Sequence, residues 1–265
     1  MVLVSRRDTI GKQIVNIGLV IIGDEILSGR RKDRHLEKSI EILHVRGLKI
    51  EWVTYLPDSP ELLRSTFQRT LASRDTIFSF GGIGATPDDY TRQAVADALA
   101  LDLVIHPDAK QEIEDQFGDD AYPNRIKMGM FPNGSRIIPN EFNRIPGFSI
   151  KQHHFLPGFP SMAWSMMEWV LDNEYLEHHV MDRDIERSVL IFDVPESSLI
   201  PLMDECLGKY PGCKVFSLPT LTAERLRRVE LGVKGTKEIV DEAFIHLKKM
   251  VSRLECEWNE LPPRL

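Results

Sequence analysis

The sequence of 265 residues contains few cysteines and only short apolar runs. Its three cysteines, Cys206, Cys213 and Cys256, are odd in number and no two are spaced as C-x-x-C. This argues against a disulfide framework and against a zinc cluster. Purely apolar runs such as Leu19 to Ile22 are far shorter than the roughly 20 residues needed to cross a bilayer. We therefore expect neither a disulfide-stapled protein nor a membrane-spanning one.

Positive charge is also in deficit. The chain has 33 Lys and Arg against 40 Asp and Glu, a formal net charge of −7. Because nucleic acids and anionic lipids would repel such a surface, we expect no nucleic-acid partner and no membrane partner. Residues 1–8 reach a charged side chain too early for a secretory signal, so we expect a cytoplasmic protein.

Apolar strand-like runs alternate with amphipathic helical patterns in the first hundred residues. The predicted strands are 16–22, 48–55 and 76–80, and the predicted helices are 34–44, 60–72 and 89–101. Three strand–helix units in succession predict a mostly parallel sheet with helices on its faces, an α/β fold.

The remainder of the chain divides into two further patterns. After a predicted helix at 107–117, prolines, glycines and asparagines up to residue 150 indicate a long irregular connection, which is more often functional than idle. From 187 onwards, strand, helix, two strands and helix predict a small α+β domain. We therefore predict one domain at 14–172 and a second at 187–255, with the boundary in the polar stretch 172–186.

The most informative motif is the glycine-rich turn from Gly81 to Thr91, which follows a predicted strand and opens a predicted helix. Glycines let the backbone N–H groups approach an anion, and a helix start adds unpaired donors. The spacing matches neither the G-x-G-x-x-G nor the Walker pattern. Taken alone, the turn is equally compatible with an ordinary connection in which Asp88 and Asp89 complement the helix dipole.

Carboxylates follow each of the first three predicted strands: Asp24 and Glu25, then Asp58, then Asp88 and Asp89. In a parallel sheet the loops after the strands open on one edge, where ligands bind. Several carboxylates beside a phosphate-binding turn would repel the ligand unless a divalent cation lay between them, and Mg²⁺ suits that position. The basic run 30–32 supplies further positive charge.

These motifs together resemble a known family. The segment 23–29 with Asp33, then Asp58, the turn at 81–91 and the Leu-Pro-Gly-Phe-Pro segment at 156–160 are similar to the molybdopterin-binding (MoCF biosynthesis) domain. Within that superfamily they look most like the amino-terminal region of CinA-like competence/damage-inducible proteins. The resemblance extends over about residues 14–255 and implies a three-layer α/β domain that forms a homo-oligomer, a trimer or dimer.

The resemblance also implies ligands and residue roles. It implies a small-molecule ligand, either an adenine nucleotide or a phosphorylated pterin such as molybdopterin, and a divalent metal (Mg²⁺, Co²⁺ or Mn²⁺) held by Asp58 and Asp89. We expect these two acids to be catalytic and Asp24 or Asp88 to orient the attacking group. The expected ligand-binding residues are Gly81, Gly82, Gly84, Thr86, Thr91, Ser28, Asp33, Pro146 and Gly147.

Several positions depart from the family pattern. Ala85 replaces the usual proline of the turn, Arg34-His35 replaces Thr-Asn, and Asn143-Arg144-Ile145 replaces small residues before Pro146. We expect these changes to alter ligand contacts around an intact turn. Three functions stay open: a metal-dependent pyrophosphatase of the ADP-ribose or FAD type, a non-catalytic nucleotide- or pterin-binding protein, and an enzyme of adenylyl transfer to molybdopterin.

Overall fold

The structure, a computed structural model, describes residues 15–180, 184–221 and 227–263. The chain divides into two compact units between His179 and Val180. Residues 1–14, on which the expectation about a secretory signal rests, and residues 181–183 of the predicted boundary stretch lie outside the described residues. Among the described helices, none has the length and apolar character needed to cross a membrane.

The first unit contains the main sheet. Its elements in chain order are β1 (Ile17–Ile22), α1 (Asp24–Leu27), α2 (His35–His44), β2 (Ile50–Leu56), α3 (Pro60–Leu71), β3 (Thr76–Phe80), α4 (Thr91–Leu99), β4 (Leu103–Ile105), α5 (Pro107–Phe117), β5 (Met130–Pro132), β6 (Arg136–Ile138), β7 (Gly147–Ile150), β8 (His153–Leu156) and α6 (Pro160–Glu174). The 6-stranded sheet has the order β2-β1-β3-β8-β7-β6. Strands β2, β1, β3 and β8 are parallel, and β7 pairs antiparallel with both β8 and β6. The mostly parallel α/β fold is confirmed.

The side chains of strand β1 show that helices cover both faces of the sheet, which gives the unit three layers. All of its residues are buried, and successive side chains of a strand point to opposite faces of the sheet. Leu19 and Ile21 belong to one apolar cluster, with residues of α2 and α6. Val20 and Ile22 belong to a second cluster, with residues of α3, α4 and α5. Burial on both faces is typical of the central strands of a doubly covered parallel sheet.

The stretch from 106 to 150 is more regular than the sequence predicted. The helix Pro107–Phe117 is confirmed, but the expected irregular connection contains β5, β6 and β7, with β5 pairing antiparallel to β4. These strands have only three or four residues each, too few for an alternating pattern to stand out in the sequence. The prediction of a long irregular connection is therefore wrong for the residues of these three strands.

The second unit is a small α+β domain, as predicted. Its elements are β9 (Ile185–Phe192), α7 (Ile200–Lys209), β10 (Lys214–Leu221), β11 (Arg227–Gly235), α8 (Lys237–Val251) and β12 (Trp258–Glu260). The 4-stranded antiparallel sheet, in the order β10-β11-β9-β12, shares one apolar core with both helices. The helix expected after the first strand of this domain is a 3-10 turn, Glu196–Leu199, followed by α7, and Pro201 lies in the first turn of α7, where proline is tolerated.

Two adjacent buried histidines of β8 join the sheet to opposite helical layers. His153 Nε2 lies 2.9 Å from Thr70 Oγ1 on α3. His154 Nδ1 lies 2.8 Å from Ser149 Oγ, and its Nε2 lies 2.9 Å from the Tyr175 hydroxyl beyond α6. Burial, with smaller contributions from neighbouring positive groups, lowers the pKa of each histidine to about 3. Both are therefore neutral in the folded protein near neutral pH.

The buried histidines predict acid sensitivity. Below the ordinary histidine pKa of 6.5, the unfolded chain binds protons that the folded chain excludes, so stability that is fully present above pH 6.5 is lost as the pH falls towards 3. The free energy of unfolding should fall by up to about 1.4 kcal/mol per pH unit for each histidine. Urea unfolding between pH 6.5 and 5 measures this slope.

His154→Gln should reduce the slope, whatever its effect on absolute stability, because glutamine does not titrate. Asn173→Gln, which changes an exposed side chain that does not titrate, is the control and should keep the wild-type slope. If the slope in His154→Gln equals that of the wild type, His154 does not contribute to the loss of stability in acid.

Candidate functional site

A cavity of about 520 Å³ opens at the edge of the main sheet where four parallel strands end. Its lining comes from the loops after β1, β2, β3 and β8, together with Met128, residues between 140 and 146, and Met162 at the start of α6. The carboxyl edge of a parallel sheet is the usual place for a ligand in this class of fold.

The glycine turn after β3 is shaped by close packing. Gly81 and Gly82 have φ of 102° and 69°, which glycine adopts without strain. A Cβ on Gly82 would lie 2.2 Å from Thr91 Oγ1, and a Cβ on Gly81 would lie 2.5 Å from the Ile22 carbonyl oxygen. The N–H groups of Gly82 and Ile83 have no hydrogen-bond partner among the described residues. The turn therefore has two unpaired backbone donors, and both residues line the cavity.

Thr91 stabilises this turn through two hydrogen bonds. Its side chain is completely buried and its hydroxyl donates to the Gly81 carbonyl at 3.1 Å. Its backbone N–H donates to the Gly82 carbonyl at 3.0 Å. Thr91 was predicted to contact the ligand, but it does not line the cavity, because its hydroxyl is directed into the protein.

Asp89 is bound into the same turn. One carboxylate oxygen accepts the Gly84 N–H at 2.9 Å, and the other accepts the Thr86 N–H at 2.8 Å and the Thr86 hydroxyl at 2.5 Å. Asp89, which was predicted to hold a metal, lines the cavity together with the predicted ligand-binding residues Gly81, Gly82, Gly84 and Thr86. Its oxygens, however, are already used as acceptors that give residues 84–86 their shape.

Acids from the other two loops reach the same cavity. Glu25, Asp58 and Asp88 all line it. The Asp24 N–H donates to Asp58 Oδ2 at 3.0 Å, and the Asp58 N–H donates to Asp24 Oδ1 at 3.4 Å, so the first two loops are joined directly. The structure thus brings together the three acidic loops.

This crowding of negative charge changes the titration of Asp58. Partial burial raises the pKa of Asp58, the N–H of Asp24 opposes that effect, and the charges of Asp24, Glu25 and Asp88 raise it further. In the described part of the chain, Arg31 is the one Lys or Arg that lines the cavity. An anionic ligand would therefore meet an excess of negative charge there.

Four other predicted residues lie outside the lining. Asp24 is connected to the cavity through its hydrogen bonds with Asp58. Ser28 is exposed at the end of α1. Asp33 accepts the N–H groups of His35 and Leu36 at 2.8 and 3.2 Å, so it caps α2. Gly147 is buried in β7, where a Cβ would lie 2.4 Å from the Phe155 carbonyl oxygen. Pro146, by contrast, which was also predicted to bind the ligand, lines the cavity.

The departures from the family pattern divide into two groups: Ala85, Asn143 and Ile145 line the cavity, whereas His35 and Arg144 do not. His35 is buried, stacks on Phe80 with ring centroids 4.5 Å apart, and its Nε2 lies 3.3 Å from the Gly158 carbonyl oxygen. Arg144 pairs with Glu112 at 2.6 Å and with Asp115 at 3.5 Å. Neither side chain lines the cavity, so His35 supports the loop after β8 and Arg144 joins this region to α5.

The cavity also has an apolar part that the sequence did not reveal. Met128, Ile145, Phe159 and Met162 line it, and 60% of Phe159 is exposed. Asn140 organises the adjacent loop, donating to Asn143 Oδ1 at 2.8 Å and to the Ile145 carbonyl at 3.0 Å. The segment around Phe159 had been noted only as part of the resemblance and Ile145 only as part of a departure from it, and Met128 carried no signal.

The hydrogen bonds of Asp58 and Asp89 determine which of these two carboxylates is available to bind a metal ion. Among the described residues, no group of three or more His, Cys, Asp or Glu side chains is arranged to hold one. Mg²⁺ nevertheless needs only one or two carboxylates when phosphate oxygens and water complete its coordination. Asp58 has free acceptor capacity on the cavity, whereas the oxygens of Asp89 accept three hydrogen bonds within the turn.

The chain is similar to a defined set of proteins. Residues 18–178 match the family model described as "Probable molybdopterin binding domain". A protein of Caldivirga maquilingensis is 32% identical over 255 residues, which make up 93% of this chain and 98% of that protein. A CinA-like protein of Anaeromyxobacter dehalogenans is 29% identical over 203 residues, 72% of this chain and 49% of the relative. The chain thus spans nearly all of one relative and about half of the other.

A solved structure agrees with these matches. The crystal structure of the protein CinA from Thermoplasma acidophilum, described there as having unknown function, is 27% identical with a TM-score of 0.55. The alignment covers 60% of this chain and 98% of that chain. Because the domain match spans more than half of the sequence and is supported by near full-length similarity to a relative, this chain belongs to the molybdopterin-binding domain family, among its CinA-like members.

Proposed function

We propose that the cavity binds a phosphorylated pterin or an adenine nucleotide and that the protein is a divalent-metal-dependent nucleotide pyrophosphatase. The observation that supports this proposal is the presence, around one cavity, of free backbone donors at Gly82 and Ile83, acids from three loops, and an exposed aromatic ring. The phosphates lie at the glycine turn, and the planar ring lies in the apolar part of the cavity, against Met128, Phe159 and Met162.

Charge neutralisation explains why the proposal includes a metal. The lining acids would repel a diphosphate, and Arg31 alone does not compensate for them. Asp58 fits a divalent cation because its carboxylate faces the cavity. When bound there, such an ion would offset the charge of the phosphates and polarise the phosphoryl group. We assign the metal to Asp58 rather than to the Asp58–Asp89 pair, because Asp89 is engaged in the turn.

The protein's own residues would position the reaction. In the cleavage, a water oxygen forms a bond to one phosphorus, the bridging P–O bond breaks, and its electron pair stays on the departing phosphate. Asp88, exposed at the cavity, orients the water and accepts its proton. The Gly82 and Ile83 amides stabilise the charge that builds up on the phosphoryl oxygens.

A second candidate function is ligand binding without catalysis. It is favoured by the engagement of Asp89 within the turn, which leaves fewer acids for a metal. ADP-ribose that binds in a calorimeter but releases no product with Mg²⁺, Mn²⁺ or Co²⁺ would select this function. ATP consumption that requires added molybdopterin would select adenylyl transfer instead.

Asp58→Asn tests the metal assignment. We expect this variant to lose at least tenfold in Mg²⁺-dependent affinity for ADP-ribose, since an amide cannot replace the charge, and interactions with charged groups contribute about 1.5–3 kcal/mol. Lowering the pH towards the raised pKa of Asp58 should weaken wild-type binding in the same way and leave the variant unaffected. Calorimetry with and without Mg²⁺ provides both measurements.

Asp102→Asn is the matched control, because Asp102 is an exposed acid that does not line the cavity. It should bind ADP-ribose as the wild type does. If Asp58→Asn keeps its full response to Mg²⁺, the metal is held elsewhere and this assignment fails.

Phe159→Ala tests the position of the ring. Stacking of a base on an aromatic side chain contributes about 1–3 kcal/mol, so ADP-ribose affinity should fall by a factor of about 5 to 150 while pyrophosphate affinity stays constant. Phe142→Ala is the control, because Phe142 is 69% exposed but does not line the cavity. Equal affinities in the two variants would remove Phe159 from the ligand site.

A further inference from the structure

Arg92 is a buried cation that the proposed reaction does not use. It lies in the first turn of α4 and only 9% of it is exposed. Its guanidinium donates to the carbonyl oxygens of Gly84 and Lys127. Burial lowers the pKa of Arg92 and the nearby charge of Asp89 opposes that effect, but an arginine stays protonated in proteins. A buried charge of this kind is retained only where its hydrogen bonds are satisfied.

The peptide groups of Gly84 are held on both sides. The Gly84 N–H donates to Asp89 Oδ1 at 2.9 Å, and its carbonyl oxygen accepts from Arg92. A Cβ at Gly84 would lie 2.6 Å from Asp89 Oδ2, so a side chain there would displace the carboxylate. Asp89 therefore fixes the N–H group of Gly84, and Arg92 fixes its carbonyl oxygen.

The second carbonyl bound by Arg92 belongs to a different segment. Lys127 lies in the 3-10 turn Arg125–Gly129, and the next residue, Met128, lines the apolar part of the cavity. Arg92 thus joins the turn proposed to bind phosphate to the segment that supplies one apolar wall. Arg92 itself does not line the cavity, so its influence on a ligand is indirect.

We propose that Arg92 is a positioning residue that sets the distance between the glycine turn and Met128 and so selects ligands that carry a planar ring at a defined distance from a phosphate. The specificity part of this proposal depends on the proposed function, whereas the link between the two segments does not. The guanidinium suits this role because its rigid planar fork can bond two carbonyls in different directions. A lysine ammonium keeps the charge but has a single nitrogen.

The test compares Arg92→Lys and Arg92→Met with Arg46→Lys. Arg46 is a matched control because it also makes several hydrogen bonds, to Asp172 and to the Ile42 carbonyl, and does not line the cavity. Calorimetry in Mg²⁺ would measure affinities for ADP, which has both ring and phosphates, and for inorganic pyrophosphate, which lacks the ring. Loss of ADP affinity should exceed loss of pyrophosphate affinity roughly tenfold in Arg92→Lys, the effect of about one charge-assisted hydrogen bond. Arg46→Lys should change both affinities less than twofold.

Two further measurements exclude a general loss of stability. Met128→Ala should weaken ADP binding less in the Arg92→Lys background than in the wild type, because the displaced segment no longer holds Met128 against the ring. Hydrogen exchange of the amides at 125–129 should accelerate in Arg92→Lys and not in Arg46→Lys. If Arg92→Met does not fold, the affinities and the hydrogen exchange of Arg92→Lys alone decide whether the proposal stands.

Equal weakening of ADP and pyrophosphate, or an Arg92→Lys variant that behaves like Arg46→Lys, would overturn the specificity role. Unchanged exchange at 125–129 would overturn the link between the segments. A wild-type protein that binds neither ADP nor pyrophosphate would reject the proposed function and the specificity role together, and the exchange measurement would still decide whether Arg92 positions the segment.

Discussion

The site depends on a lack of space where β3 ends. Between the Ile22 carbonyl and the Thr91 hydroxyl there is no room for a side chain, so only glycine backbone passes at positions 81 and 82. The same packing brings the start of α4 against the end of the sheet, because Thr91 begins that helix and bonds to the turn. The free amides, the acids that follow and the buried Arg92 all take their positions from this contact.

Electrostatics limits what the cavity accommodates. Acids from three loops meet there, and partial burial together with repulsion from the neighbouring acids raises the pKa of Asp58. A neutral apolar molecule would leave this repulsion unchanged, whereas a cation or a proton would reduce it. In the proposed complex, a divalent ion and a diphosphate enter together, since each lowers the electrostatic cost of binding the other. The apolar wall then serves the uncharged end of the same ligand.

The sequence predicted positions along the chain better than it predicted side-chain directions. Periodicity and strand ends were enough to place Asp58 and Asp88 at one edge of a parallel sheet, since that edge follows from topology. Motif membership did not distinguish a lining residue from a supporting one: Asp33 caps a helix and Thr91 is directed inward. Met128 reaches the cavity through a 3-10 turn whose position depends on a distant arginine, and no local pattern encodes such a contact.

Hydrogen bonds keep the turn rigid in this chain, in place of the proline of the family pattern. A proline at position 85 would restrict the backbone by itself, because its ring fixes φ. With Ala85 in that place, residues 84–86 are held by hydrogen bonds from Gly84 and Thr86 to Asp89 and by the bond from Arg92 to the Gly84 carbonyl. Asp89 then occupies two amide donors that a phosphate would otherwise use. In the proposed complex the phosphate is therefore bound at Gly82 and Ile83, one step earlier in the turn, where the donors are free and Asp58 faces the same cavity.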